Sequence, residues 1–229
     1  MKHRILLLFV VLLAFAAQAQ DKWTGLSRYT LSDRAIIDEI NYGKRVVLMG
    51  NSITDYWVSK RPEFFADHKN FIGRGISGQT SYQMLVRFRQ DVLDLKPKVV
   101  VINAGINDIA ENQSIPYSED LTMGNIMSMA ELAKAHKIKV ILSSVMPTDK
   151  IYWNKKATGV QIKIMRLNER IRQYAEANGY PYIDYYSAMV KGASRGLNPA
   201  YTDDGLHPNV EGYKVMEPLL LEAVRKYVK

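Results

Sequence analysis

No cysteine occurs among the 229 residues. That absence excludes disulfide bonds, thiolate metal sites and a cysteine nucleophile, and it leaves nothing to carry a lipid at an export cleavage point. Blocks of like charge and ladders of basic and aromatic residues are also missing. The 31 Lys and Arg exceed the 23 Asp and Glu for a formal charge of +8, but the excess is scattered over what read as solvent faces, as in IKIMRLNERIRQY at 162–174. A nucleic acid partner is therefore not expected. Only one long apolar run exists, ILLLFVVLLAFA at 5–16, and it is shorter than the roughly 20 residues a membrane-spanning helix needs. MKHR precedes it and the small-x-small triplet Ala17-Gln18-Ala19 follows, the pattern of a signal peptide over residues 1–19. Cleavage would remove Lys2 and Arg4, lower the charge by two to +6, and leave one domain over 20–229 in a periplasmic or secreted setting, without stable membrane insertion. Repeats, low-complexity tracts and internal linkers are absent.

Five runs rich in Val, Ile and Leu lack the polar alternation of half-exposed strands and read as buried parallel strands: 45–49, 70–73, 98–104, 139–145 and 181–185. Helical spacing fills the intervals. Residues 80–95 place Met84, Val86, Phe88, Val92 and Leu95 near one broad face; 121–136 and 160–178 repeat the pattern, the latter closed by Gly179 with Pro181 behind it. The methionines at 123, 127 and 129 read as core filler. A last helix over about 210–227 contains Pro218, which either kinks it or begins a second segment. Strand and helix alternating at this interval imply βαβ units and a parallel sheet covered on both faces.

Parallel strands present all their C-terminal ends on one edge, so segments that follow them can meet although distant in sequence. Four such segments carry chemistry: Gly50-Asn51-Ser52; GRGISGQTS at 73–81; Gly105-Ile106-Asn107-Asp108; and Asp203-Asp204-Gly205-Leu206-His207-Pro208-Asn209. Ser52 starts a helix directly after a strand, where a serine either caps the helix or serves as a nucleophile. His207 is the one histidine set among turn residues: His3 lies in the leader, and His68 and His136 sit near helix ends among lysines. Asp204, three residues earlier, can hold one ring nitrogen and leave the other for the hydroxyl. Three donors can converge on an oxyanion: the N–H of Ser52, the N–H of Gly78 and the side-chain amide of Asn107.

Together these segments resemble the GDSL hydrolases of the SGNH superfamily, in which a serine, a glycine, an asparagine and an Asp-x-x-His recur in that order. Here they fall on Ser52, Gly78, Asn107, and Asp204 with His207, spanning residues 50–209. The resemblance implies a three-layer α/β/α, flavodoxin-like sandwich with a five-stranded parallel sheet of order 2-1-3-4-5, and ester or thioester hydrolysis through an acyl-enzyme in which no metal or cofactor takes part. One departure stands out: where the name motif has Gly-Asp-Ser-Leu, this chain has Gly-Asn-Ser-Ile, with Asn51 for the aspartate. For substrate contact, Tyr56 and Trp57 follow the nucleophile, and the connection 147–159 carries Tyr152 and Trp153, aromatics suited to stacking on a sugar ring or covering an acyl chain. The expected substrate is a small or carbohydrate ester carrying a short acyl group, acetyl in the first instance. Longer acyl chains on a lysophospholipid or thioester, and a non-catalytic sugar- or lipid-binding module, are the competing readings.

Overall fold

A computed structural model describes residues 21–33 and 44–228. The leader expected at 1–19 lies outside the described residues. Five strands, β1 (Val46–Gly50), β2 (Phe71–Gly75), β3 (Val99–Ile102), β4 (Lys139–Ser143) and β5 (Tyr182–Ile183), form one sheet in the order β2-β1-β3-β4-β5. Every neighbouring pair is parallel. The chain starts in the middle of the sheet, winds outward to β2, then crosses back to β3 and continues to β5. The strand ends of β1 and β3 flank the point where the winding reverses, and a crevice opens there.

Side chains alternate across the sheet because successive Cβ atoms point to opposite faces. Val47, Met49, Val100 and Ile102 face a core with Met84, Phe88, Met129 and Ile164. Val46, Leu48, Val99 and Val101 face a second core with Ile53, Trp57, Tyr213 and Leu220. The first core is covered by α3 (Ser81–Phe88), α5 (Glu119–Ala135) and α6 (Val160–Asn178); the second by α1 (Ser52–Lys60) and α8 (Val210–Val224). Short helices α2 (Pro62–Asp67), α4 (Ile106–Ile109) and α7 (Tyr185–Met189) complete the connections. The three-layer sandwich and its strand order thus match the expectation.

Three details differ from the sequence pattern. The helix expected over 80–95 is α-helical only to Phe88 and then widens into a π turn at Arg89–Leu93. That extra residue shifts the helical phase, so Asp91, Val92 and Leu93 are all buried; Val86, two residues from both Met84 and Phe88 in the regular helix before it, faces outward. The last helix, expected over about 210–227, ends at Val224, and it runs through Pro218 without a second segment, one of the two readings left open. And the basic residues are not confined to solvent faces: Arg45, Arg74 and Arg87 are buried. Met123 and Met129 are buried in the first core and Met127 is partly buried against it.

Candidate active site

Ser52 is the first residue of α1, and the capping task falls on its neighbour: the Asn51 carboxamide oxygen accepts from the Ile53 N–H at 3.5 Å. Glycine at 75 makes this turn possible, because a Cβ there would lie 2.1 Å from the Asp55 nitrogen and 2.6 Å from the Asn51 carbonyl oxygen. The start of α1 therefore packs directly on the end of β2. With Asn51 capping, the Ser52 hydroxyl is free to turn outward, and its Oγ lies 2.9 Å from Nε2 of His207.

His207 comes from the segment between α7 and α8. Its Nδ1 lies 2.7 Å from Oδ2 of Asp204. The other carboxylate oxygen of Asp204 accepts the N–H groups of Leu206 at 2.9 Å and His207 at 2.7 Å. Partial burial raises the Asp204 pKa, but hydrogen bonds from the His207 ring and from these two N–H groups outweigh it and hold the carboxyl down at about 2. An ionised Asp204 fixes the tautomer with the proton on Nδ1, which leaves Nε2 as an acceptor for the serine hydroxyl. Thr202 braces the turn, its hydroxyl donating to the His207 carbonyl at 2.7 Å and receiving the Gly205 N–H at 3.0 Å. Across the cleft, the Tyr56 ring packs against the imidazole with centroids 5.0 Å apart.

The oxyanion candidates lie on the neighbouring strand ends. Gly78 has φ +79°, a left-handed conformation that glycine adopts without steric penalty. Among the described residues no acceptor takes its N–H. Asn107, the second residue of α4, donates one amide hydrogen to the Gln79 carbonyl at 2.8 Å, which leaves the other available. Next to it, buried Asp108 accepts both the N–H and the hydroxyl of Ser81, so α4 is stitched to the start of α3. Burial drives the Asp108 pKa upward against those hydrogen bonds.

Beneath the turn lies Arg87, fully buried, which no sequence signal singled out. It donates to the Gly50 carbonyl at 2.7 Å, the Arg74 carbonyl at 3.1 Å, the Gln79 side chain at 2.5 Å and Asp91 at 2.6 Å. One guanidinium thus joins the ends of β1 and β2 to the Gly78 loop. Its periodic position in a helix marks it as buried only if its partners are already known.

The four aromatics proposed for substrate contact separate into two groups. Trp57 is a correction: it is 3 % exposed, stacked between Phe64 and Tyr213, and its indole N–H donates to Glu217. One residue along a helix is a turn of about 100°, so Tyr56 faces His207 while Trp57 faces the core. Tyr152 and Trp153 are about half exposed (50 % and 51 %) and line a cavity of about 720 Å³ with Asp149, Lys191, Leu197 and His207. Thr148 anchors this connection to the Asp204–His207 turn through the Gly205 carbonyl at 2.9 Å. Among the described residues no group of three or more acidic or histidine side chains is placed to hold a metal ion. No helix there is long and apolar enough to cross a membrane.

The family model of the GDSL-like lipase/acylhydrolase family matches residues 48–215. A GDSL-like lipase from Bacteroides thetaiotaomicron is 52 % identical in sequence, with a TM-score of 0.86 over 89 % of this chain and 98 % of that one. An acetylxylan esterase from Xylanibacter ruminicola is 25 % identical over 215 residues, which cover 79 % of this chain but only 43 % of the relative's length. An isoamyl acetate-hydrolyzing esterase 1 homolog from Homo sapiens is 28 % identical over 80 % of this chain and 82 % of its own. By the match to its model and by the fold shared with its solved member, the chain belongs to the GDSL-like lipase/acylhydrolase family.

Proposed function

We propose that the protein is a serine ester hydrolase that works through an acyl-enzyme, with Ser52, His207 and Asp204 as its triad. The observation that carries this is the unbroken chain of hydrogen bonds from Ser52 Oγ to His207 Nε2 (2.9 Å) and from His207 Nδ1 to Asp204 (2.7 Å). In the first step Oγ attacks the ester carbonyl carbon as Nε2 takes its proton. The C–O double bond becomes a single bond to an oxyanion, which the N–H groups of Ser52 and Gly78 and the free amide hydrogen of Asn107 receive. Collapse expels the alcohol, protonated by the imidazolium, and leaves an acyl-serine. Water, deprotonated by the same imidazole, then attacks that ester; the bond from the acyl carbon to Oγ breaks, the imidazolium returns its proton to Oγ, and the carboxylic acid leaves.

The leaving alcohol is assigned to the cavity beside His207. Tyr152 and Trp153 offer flat apolar faces and Asp149 and Lys191 offer hydrogen-bonding groups, a combination that suits a sugar better than an alkyl chain. Two relatives carry names of acetate-ester hydrolases, and we assign short acyl groups, acetyl first, on carbohydrate. The test is a series of p-nitrophenyl esters from acetyl to palmitoyl, with acetate release from acetylated xylo-oligosaccharides alongside. We expect turnover to peak at acetyl, and Ser52→Ala to lose at least about 10³-fold. A peak at long chains would select the lipid or thioester reading. Sugar binding without turnover by the intact protein would select the binding module. From the signal-peptide pattern over residues 1–19 we further propose that this activity lies outside the cytoplasm, which fractionation of a producing cell checks.

A further inference from the structure

After α4 the backbone does something unusual for residues with side chains. Glu111, Gln113 and Ser114 all have positive φ (56°, 60° and 58°), so three of four consecutive residues are left-handed. Such conformations persist only where the surroundings hold them, and they cluster where a segment has a task. The residue they present is Asn112, and its amide is used at both ends. Nδ2 donates to the Gly78 carbonyl at 3.0 Å, and Oδ1 accepts the indole N–H of Trp153 at 2.7 Å. A second tie runs alongside, from the Asn154 amide to the Ala110 carbonyl at 2.9 Å.

We infer that Asn112 is a positioning residue for the hydrolysis: one carboxamide sets both the oxyanion loop and the aromatic wall that receives the leaving group. The inference rests on Ser52 being the nucleophile and Gly78 an oxyanion donor. Gly78 has no Cβ to restrict it, so its peptides can swing between left- and right-handed φ. Anchoring its carbonyl, in a turn already closed by the Gln79 N–H on the Ile76 carbonyl at 3.3 Å, keeps the preceding N–H aimed at the crevice. Trp153 is half exposed on a connection without regular structure, and its indole N–H has this one partner. The carboxamide that orients the donor through one hydrogen bond therefore orients the sugar-facing ring through another, and the rate and the choice of alcohol are tied together.

The two arms can be cut separately. Asn112→Asp keeps an acceptor for the indole but turns an oxygen toward the Gly78 carbonyl. Trp153→Phe keeps a ring but has no N–H to give. Asn112→Ala cuts both. Steady-state kinetics are measured on p-nitrophenyl acetate and on an acetylated xylo-oligosaccharide, with thermal melting of every variant. Losing an oxyanion donor outright lowers kcat by about 10²- to 10³-fold, and misaiming one should lower it by about tenfold. We therefore expect Asn112→Asp to lower kcat about tenfold on both substrates, with less change in KM and a melting temperature close to that of the parent. Trp153→Phe should raise KM for the oligosaccharide more than for p-nitrophenyl acetate, and Asn112→Ala should show both effects. Parent-like kcat in Asn112→Asp, or a loss that merely follows a loss of folded protein, overturns the inference. Ser52→Ala run in parallel separates the two levels: if it still turns over, the triad assignment falls; if it is dead while Asn112→Asp is unimpaired, only the role of Asn112 falls.

Discussion

Asp204 shows how much chemistry one carboxylate can divide between its two oxygens. Oδ1 takes the N–H groups of Leu206 and His207, which shapes the turn, and Oδ2 takes the imidazole Nδ1, which sets the tautomer. Asp204→Asn should separate these tasks. The amide oxygen can still accept both N–H groups, but the amide nitrogen meets a ring N–H and repels it, favouring the tautomer with the proton on Nε2. We expect kcat to fall by about 10⁴-fold while the protein stays folded. The same variant carries a pH signature. A carboxyl held at about 2 in the fold against an ordinary 3.8 stabilises the folded state fully above the ordinary value, and that contribution disappears as pH falls through about 2. The stability gap between parent and Asp204→Asn, read from urea denaturation, should therefore narrow as pH is lowered below about 4. A gap that widens on acidification would show that Asp204 is not paired as described. At this scale sequence reading brought the right side chains together where their geometry is set within one segment, as for Asp204 and His207. His207 stood out by elimination, and Asp204 by spacing. It failed for Trp57, whose direction depends on helical phase against Tyr213 and Phe64, and for Asn112, whose partners lie 34 and 41 residues away.

Among the elements, α3 and its π turn do more than cover the sheet. The helix opens with a capping box between Thr80 and Gln83, so its start is fixed right where the Gly78 loop ends. About two turns later Arg87 reaches back under the loop to Gly50 and Gln79, and Asp91, on the widened turn, neutralises it. Both partners are essentially without solvent, 0 % and 1 % exposed at the side chain. Burial lowers the Arg87 pKa and raises that of Asp91, and each opposes the other's shift. Such a pair stabilises little relative to apolar residues of its size, yet removing one member strands the other. Arg87→Met should destabilise the fold by about 3–5 kcal/mol, and adding Asp91→Leu should recover part of that loss. Denaturant titration of the single and double variants reads this directly; equal losses in both would mean that the backbone carbonyls, not Asp91, set the cost. The amphipathic pattern gave away the helix. It could not give away the arginine, because a charged residue on an apolar face is legible only with its acceptors in view, and these come from β1, β2 and the loop between β2 and α3.

At the scale of the whole molecule, the sheet makes the site by bringing sequence-distant ends to one edge: Ser52 and His207 are 155 residues apart in the chain. The strands were legible because both faces are covered, which leaves uninterrupted apolar runs; β5 is shorter than its run suggested, since only Tyr182 and Ile183 pair with β4. What the runs could not reveal is that residues 21–33 lie against the outer end of this edge. Gln79 donates to the Thr24 carbonyl at 2.9 Å, Gln83 to Trp23 at 2.7 Å and Gln90 to Leu26 at 2.6 Å, while Asp33 pairs with Arg74 and the Tyr29 hydroxyl reaches the Gly75 carbonyl. Of these, Gln79 matters most. Its side-chain oxygen is held by Arg87, its nitrogen by Thr24, and its backbone carbonyl receives Asn107. The early segment is thus one wall of the Gly78 loop's support, and deleting it should be felt at the crevice. A chain beginning at residue 34, compared with one beginning at residue 20, should lose about 3 kcal/mol, on the basis of three amide hydrogen bonds at about 1 kcal/mol each, with Arg74 released to water. Its kcat should fall several-fold more than its KM rises, because the loosened groups support Gly78 and Asn107 rather than the cavity of Tyr152 and Trp153. Equal melting and equal kcat in the two chains would mean that the sheet edge holds its donors unaided, and that residues 21–33 rest on the site without supporting it.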